Sequence, residues 1–257
     1  MKELLLALPA GRETGGRSYG LTPAHMAYRV GAGPRLLGVQ LPQGLRGGLM
    51  QVDCAGFDGG GDPVGCCRQI LGECRRRSFR GIVCDFEGMP TGCLGKLVEI
   101  LDRNCAAQGW SLYVPECYAV HAPQARVLIP SALTHGTLER RLREALERYG
   151  KARTTLAVEW VREDFLLPAR GRGEPVPREQ LEEQLKRLEP AVFFDRGLCA
   201  HYFTYMKGPQ AHFVLFDTHR SIREKLGLAD RLGLIAALLP GPELEDHLEE
   251  IFGPDGE

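Results

Sequence analysis

The chain of 257 residues has no long hydrophobic run and almost no net charge. A membrane-spanning helix needs roughly 20 consecutive apolar residues, and the apolar run from Leu4 to Leu8 ends at Pro9, too early for a signal peptide. Lysine and arginine total 32 against 33 acidic residues, a formal net charge of -1. This balance gives no electrostatic attraction to nucleic acid or to an anionic membrane surface. We therefore expect a cytoplasmic protein with neither partner.

Several chemical motifs are also missing. No G-x-G-x-x-G follows the first apolar segment, and there is no G-x-x-x-x-G-K-[ST] or G-x-S-x-G, so nucleotide binding and serine-hydrolase chemistry are not favoured. The nine cysteines include no C-x-x-C pair, and Cys66, Cys67 and Cys74, which lie along one helical segment, have no histidine at ligand spacing. An odd number of cysteines without a secretion signal predicts reduced thiols rather than disulfides or a zinc site. No metal or cofactor is expected.

Short apolar segments with strand character alternate with amphipathic helical segments. The predicted strands are 4–8, 36–40, 49–54, 81–87, 111–117, 126–132, 154–161 and 234–239, with a hairpin of 202–205 and 212–216. The predicted helices are 64–77, 94–107, 137–149, 178–188, 221–232 and 243–252. Such alternation predicts a parallel α/β fold, and the length matches the about 250 residues of a (β/α)8 TIM barrel. We predict one somewhat irregular α/β barrel domain over 1–257, with a β-hairpin insertion near 201–216.

Two carboxylates follow one of the predicted strands. Residues i and i+2 of a strand project to the same face, so Asp85 and Glu87 are expected to point together from the carboxyl end of 81–87, the catalytic end of an α/β barrel. Their mutual repulsion favours keeping one of them protonated, as a general acid requires. The alternative is that they only cap the helix that follows.

Two stretches resemble glycoside hydrolase family 18, and within it the spore-cortex-lytic and sporulation-associated branch. The sequence G-I-V-C-D-F-E at 81–87 is similar to the strand-four signature D-x-x-D-x-D-x-E of that family. The segments 202–205 and 216–226 are similar to the strand-seven hairpin and the following helix of spore-associated members. The likeness is close in these stretches and loose over much of the remaining chain. It raises the possibility of a mother-cell or spore association.

The resemblance implies a retaining, substrate-assisted mechanism on β-1,4-linked glycan that contains N-acetylglucosamine, such as chitin oligomers or peptidoglycan. Glu87 matches the general acid/base, and Asp85 matches the residue that orients the substrate's 2-acetamido group. The sequence departs from the signature at its first two acidic positions, which hold Arg80 and Val83. The family's strand-six M-x-Y-D has no counterpart, and the candidates to replace its Tyr-Asp pair are Tyr118, Glu159 and Asp164.

Other residues at predicted strand ends are candidates for substrate binding. In a conventional retaining glycosidase, Glu116 or Glu159 would be the second carboxylate beside Glu87. The alternative for Glu116 is a rim residue paired with Arg162 or Arg126. Trp160 and Tyr118 are candidate platforms for the apolar faces of sugars. An alternative function is a catalytically degenerate barrel that binds glycan or a protein without hydrolysis. The sequence leaves the oligomeric state open.

Overall fold

The computed structural model describes residues 1–9, 19–38, 42–133, 136–169, 171 and 173–253. Its strands are β1 (Glu3–Pro9), β2 (Thr22–Gly31), β3 (Arg35–Gly38), β4 (Leu49–Asp53), β5 (Gly81–Asp85), β6 (Ser111–Pro115), β7 (Arg126–Pro130), β8 (Thr154–Ala157), β9 (Arg162–Leu166), β10 (Glu174–Pro175), β11 (Phe193–Asp195), β12 (Ala200–Lys207), β13 (Gln210–Phe216) and β14 (Ala236–Pro240). Its helices are α1 (Pro63–Arg77), α2 (Gly92–Gln108), α3 (Leu138–Tyr149), α4 (Arg178–Leu188), α5 (His219–Leu232), α6 (Gly241–Leu244) and α7 (Leu248–Phe252). None of these helices is long and apolar enough to cross a bilayer.

Eight of the strands form a closed parallel barrel. Their order around the barrel is β1, β2, β4, β5, β6, β7, β8 and β14, and β1 closes the ring by pairing with both β2 and β14. This confirms the predicted (β/α)8 barrel. It is irregular, as expected, because a 3-10 turn at Glu116–Tyr118 takes the place of a helix between β6 and β7.

The second barrel strand is the main error of the sequence prediction. That strand is Thr22–Gly31, whereas the predicted strand at 36–40 corresponds to β3, an antiparallel neighbour of β2 outside the ring, and its last two positions lie outside the described residues. The pairing of β2 with β4 shifts register between Met26 and Tyr28. A bulge of this kind interrupts the two-residue alternation from which strands are predicted.

The predicted hairpin is present and belongs to a larger insertion between β8 and α5. Strands β12 and β13 pair antiparallel from His201↔Phe216 to Lys207↔Gln210, within a five-stranded sheet of order β10, β9, β13, β12, β11. Helix α4 covers one face of this sheet through Leu181, which packs with Phe203 and Val214. The other face carries Ala200 and Leu215.

Strand alternation separates the barrel interior from the layer beneath the helices. A single buried cluster takes one residue from each of seven barrel strands, which is possible only inside the ring; its members are Leu5, Ala24, Leu49, Val83, Tyr113, Leu128 and Ala236. The neighbours Ile82 and Cys84 belong instead to the cluster that packs against α1 and α2. On β5, odd-numbered residues therefore face the barrel axis.

A buried ion pair joins the insertion to the barrel. The Lys225 ammonium on α5 donates to Asp217 Oδ2 at 2.6 Å and to the Glu159 backbone oxygen at 3.3 Å. The same Asp217 oxygen accepts the Val161 amide at 2.8 Å, and the side chains of the pair are 1% and 0% exposed. One carboxylate thereby links α5, the end of β8 and the start of the second sheet.

Replacing one partner of this pair should be costly. In Lys225→Met, the Asp217 carboxylate stays buried without its cation, and we expect a loss of about 3–5 kcal/mol in the free energy of unfolding. Urea denaturation measures this loss. Arg178→Ala is the control, because it breaks only exposed ion pairs, with Glu182 and Asp246, and about 0.5 kcal/mol or less is expected. Equal losses in the two variants would contradict the role assigned to the buried pair.

Candidate active site

The predicted carboxylate pair lies at the mouth of the barrel. Asp85 is the last residue of β5, the fourth barrel strand, and Glu87 follows it by two positions. Both residues are exposed, while Phe86 between them is only 3% exposed and packs beneath the helices. Asp85 therefore lies on the axial side of the strand, and Glu87 lies just beyond the strand end, where its charge acts on Asp85. The first position of the strand is glycine, Gly81, because a Cβ atom there would lie only 2.6 Å from the Ser111 backbone oxygen.

Asp85 has an environment that favours its neutral form. Its Oδ2 accepts a hydrogen bond of 3.0 Å from Gln51 Nε2 on the adjacent strand β4. The Asp85 side chain is accessible to solvent, but the protein atoms around its carboxyl group at the barrel mouth displace part of the water, and this desolvation raises its pKa. The nearby Asp53 and Glu87 charges raise it further, and the Gln51 bond opposes them. The site therefore disfavours the charged form of Asp85. In the family signature an acid two residues before Asp85 stands behind it, whereas here that position is Val83 and the contact comes from the neutral Gln51 amide on β4.

Two further residues of β4 belong to this end of the barrel. Asp53 is the register partner of Asp85, and it accepts Arg29 Nε at 2.6 Å in an exposed ion pair. Gln51 is buried, and its Oε1 has no hydrogen-bond partner within the described part of the chain. Neither residue is among the site candidates predicted from the sequence, although polar side chains in the otherwise apolar L-M-Q-V-D were a usable signal.

A cleft of about 370 Å³ opens at the ends of the sixth, seventh and eighth barrel strands. Ser131, Glu159, Trp160 and Lys225 are among its lining residues. The Ser131 hydroxyl accepts the Glu159 amide at 2.9 Å, and Glu159 Oε2 accepts the Ala132 amide at 2.9 Å. Two of the predicted binding residues, Glu159 and Trp160, therefore line the same cleft. The Trp160 ring stacks on His247 with centroids 5.2 Å apart.

Tyr118 does not lie where a sugar could reach it. It is fully buried, and its ring packs edge-on against Phe86, with centroids 5.6 Å apart, in the layer beneath the helices. Burial also raises the pKa of its hydroxyl. The interpretation of Tyr118 as a stacking platform is therefore corrected: the ring supports the segment that carries Glu87 from behind.

Glu116 and Asp164 are both engaged elsewhere. Glu116 forms a salt bridge with Arg141 and accepts the Tyr149 hydroxyl at 3.2 Å. The expected rim pairing is thus present, but with an arginine of α3 rather than Arg162 or Arg126. Asp164 lies in the second sheet, where it pairs with Val214 on the face that α4 covers. Its neighbour Phe165 points to the opposite face.

Asp164 is held there by two polar neighbours. The Tyr205 hydroxyl donates to Asp164 Oδ2 at 2.7 Å, and His212 Nδ1 lies 2.9 Å from its Oδ1. The structure does not bring this carboxylate to the cleft that Glu159 lines. No group of three or more histidine, cysteine or acidic residues suited to a metal ion occurs among the described residues.

Similar folds occur among known structures, while no protein-family model matches the sequence. The Bacillus megaterium QM B1551 spore cortex-lytic enzyme SleL is 15% identical, with 98% of this chain and 74% of that chain covered and a TM-score of 0.66. A chitinase from Chromobacterium violaceum ATCC 12472 is 17% identical, with 93% and 94% covered and a TM-score of 0.64. The Cycas revoluta family 18 chitinase, solved in complex with (GlcNAc)3, is 12% identical, with 98% of both chains covered and a TM-score of 0.62.

These comparisons confirm the resemblance at the level of the fold. The similar structures are spore cortex-lytic enzymes and family 18 chitinases, and they also include the putative sporulation-specific glycosylase YdhD from Bacillus subtilis, at 14% identity and a TM-score of 0.56. At such identities the likeness establishes the barrel architecture. What the residues of this chain do must be argued from their own geometry.

The raised pKa of Asp85 predicts how stability depends on pH. Above about 3.8, the carboxyl of the unfolded chain is charged, while the folded protein resists that charge. The contribution of Asp85 to the stability of the wild type therefore falls as the pH rises above about 3.8, and Asp85→Asn lacks this pH-dependent loss. We expect the variant to be more stable near neutral pH, with the difference vanishing below about 3.8.

Urea denaturation at several pH values measures this difference. Glu182→Gln is the control, since it neutralises an exposed carboxylate paired with Arg178 and should lose a few tenths of a kcal/mol at neutral pH. A lower stability of Asp85→Asn at neutral pH would contradict the assigned environment.

Proposed function

We propose that the protein is a glycosidase that cleaves β-1,4-linked glycan containing N-acetylglucosamine, either chitin oligomers or peptidoglycan. One observation carries the proposal: Asp85 is the last residue of the fourth strand of a closed parallel barrel, Glu87 follows it by two positions, and both side chains are exposed. The similar structures, chitinases and spore cortex-lytic enzymes, support the same class of substrate. No other pair of carboxylates among the candidates combines exposure with this position.

The mechanism follows from the chemistry of the pair. Glu87 donates a proton to the glycosidic oxygen, which leaves with that proton as the bond to the anomeric carbon breaks. The substrate's own acetamido oxygen attacks that carbon from the opposite face, so no second enzyme carboxylate is needed. Asp85 accepts a hydrogen bond from the acetamido N–H and, once ionised, stabilises the positive charge of the cyclic intermediate. Glu87 then removes a proton from the water that opens the ring, which gives net retention.

The cleft, whose lining residues do not include Asp85 or Glu87, offers candidates for the remaining contacts with glycan. Glu159 and Ser131 lie at the ends of the seventh and sixth strands and are joined by a hydrogen bond. We assign to Glu159 the support of the acetamido group that a strand-six Tyr-Asp pair gives in the family. Trp160, partly buried at the cleft wall, offers apolar surface to a sugar ring.

A second function, glycan binding without hydrolysis, is favoured by one specific feature. Arg80 and Val83 replace two acids of the signature, so Asp85 has no carboxylate behind it on its own strand. Gln51 contacts Asp85 with an amide, which cannot exchange a proton as an acid does. A barrel of this kind would retain the cleft and lose the chemistry.

Hydrolysis assays on Glu87→Gln separate these functions. Wild-type protein incubated with N-acetylglucosamine oligomers or cortex-type peptidoglycan fragments should release reducing ends, and the variant should be slower by about 10²–10⁴-fold because it has no proton to donate. Glu116→Gln tests the conventional two-carboxylate mechanism, and a comparable loss in that variant would contradict substrate assistance. Binding of oligomers by both proteins without turnover would establish the binding module instead.

The role of the acetamido group gives an independent prediction. Fully de-N-acetylated glucosamine oligomers lack the carbonyl oxygen that attacks the anomeric carbon. We expect no measurable cleavage of these oligomers under conditions in which the acetylated oligomers of equal length are consumed. Chromatography of the products measures both reactions. Cleavage of the two substrates at similar rates would exclude the substrate-assisted mechanism.

A further inference from the structure

Two thiols lie on either side of the segment that carries Glu87. The backbone N–H of Glu87 interacts with the Cys54 thiol and lowers its pKa, against the larger effect of burial. The Cys117 thiol donates to the backbone oxygen of Gly88 at 3.4 Å. Consecutive residues of the Glu87–Gly88 segment are therefore held through their main chain by two different cysteines.

The two cysteines reach this segment from opposite directions. Cys54 directly follows β4, and Cys117 lies in the 3-10 turn that directly follows β6. These strands are the neighbours of β5 on its two sides. The hydrogen bonds between neighbouring barrel strands end where the strands end. Beyond Asp85, the two thiols therefore contact the chain on the two sides on which β4 and β6 flank β5.

The protonation states suit these contacts. A thiol donates a hydrogen bond only when it is protonated, and burial raises the pKa of both Cys117 and Cys54 above the ordinary thiol value. Both groups are neutral at physiological pH for that reason. Neutral sulfur is soft and only weakly polar, so it holds the segment without placing a further charge beside Asp85 and Glu87.

The thiol positions are unlike those of the remaining cysteines. All nine are free; six are buried in the core, and only Cys54, Cys93 and Cys117 are partly exposed. The thiol of Cys93 lies 3.9 Å from the backbone oxygens of both Gly60 and Gly61 and does not contact the Glu87 segment. Cys93 is thus a matched control, a partly exposed thiol on the helix that follows Glu87.

We propose that Cys54 and Cys117 are positioning residues that fix the backbone of Glu87, and with it the direction in which its carboxyl group is presented at the barrel mouth. This inference rests on the proposed function for its catalytic consequence, while the contact itself is independent of it. Positioning of this kind matters because a displacement of about 1 Å at a catalytic group can cost about 10²-fold in rate.

Amide hydrogen exchange tests the contact without reference to activity. In isotopically labelled protein, Cys54→Ala removes the acceptor of the Glu87 amide, and exchange of that amide should accelerate about fivefold, the effect of losing one hydrogen bond. Cys54→Ser keeps an acceptor and should stay near the wild-type rate. For Cys117, the Gly88 carbonyl carbon shift should change in Cys117→Ala and largely recover in Cys117→Ser. Unchanged signals in both alanine variants would overturn the proposal.

Steady-state kinetics on N-acetylglucosamine oligomers test the positioning role. Each alanine variant should lower kcat by about tenfold with KM unchanged, the serine variants should regain most of the loss, and Cys93→Ala should match the wild type. Changed exchange with unchanged kcat would overturn the positioning role and leave only the contact. If the wild type hydrolyses nothing, the proposed function fails, and the exchange experiment still decides whether the thiols hold the segment.

Discussion

The buried ion pair of Asp217 and Lys225 is the interaction on which the mouth of this barrel depends. Between β8 and β14 the chain makes a long excursion, a five-stranded sheet with its own helix, before it returns through α5. The only charged pair with both side chains essentially removed from solvent among the described residues fixes the two ends of this excursion to each other and to the backbone of Glu159. A buried charge without its partner is very unfavourable, so the pair admits one arrangement of the insertion. The cleft wall that Glu159 and Trp160 form exists in that arrangement.

On the opposite side of the mouth, strand alternation decides which side chains face the barrel axis. Odd-numbered residues of β5 face the axis, which brings Asp85 to the barrel mouth, while Phe86 just beyond the strand packs in the layer of Tyr118. The same rule explains why Asp164 is absent from the site: on β9 its side chain lies on the face that packs against α4. Whether a polar side chain reaches the barrel mouth therefore depends on whether its position in the strand faces the axis. Beyond the end of β5, the proposed contacts of the neutral thiols of Cys54 and Cys117 support the chain instead.

The balance between catalysis and binding is set by what surrounds Asp85. Its neighbours are Gln51, which offers an amide hydrogen, and the Asp53 and Glu87 carboxylates, which disfavour its charge. Gln51 differs in type from the acids of the family signature, yet desolvation and the two neighbouring carboxylates raise the pKa of Asp85, the direction that a proton-sharing pair requires. A carboxyl pair with one proton between its members is compatible with acid catalysis, which is why the glycosidase function ranks above the binding module.

The sequence by itself determined the elements with clear periodicity and short, apolar interiors. The strand at Asp85, the helices from α1 to α5, the hairpin and the barrel were predictable, because local alternation and spacing encode them. The second barrel strand was not, since its bulge at Met26 interrupts the alternation. Only the tertiary structure decided the neighbours: Gln51 beside Asp85, Arg141 with Glu116, Tyr118 behind the site and Asp164 away from it. Such contacts join residues far apart in the chain, and no local pattern specifies which strand end will meet which, because closure of the barrel settles that for all strands together.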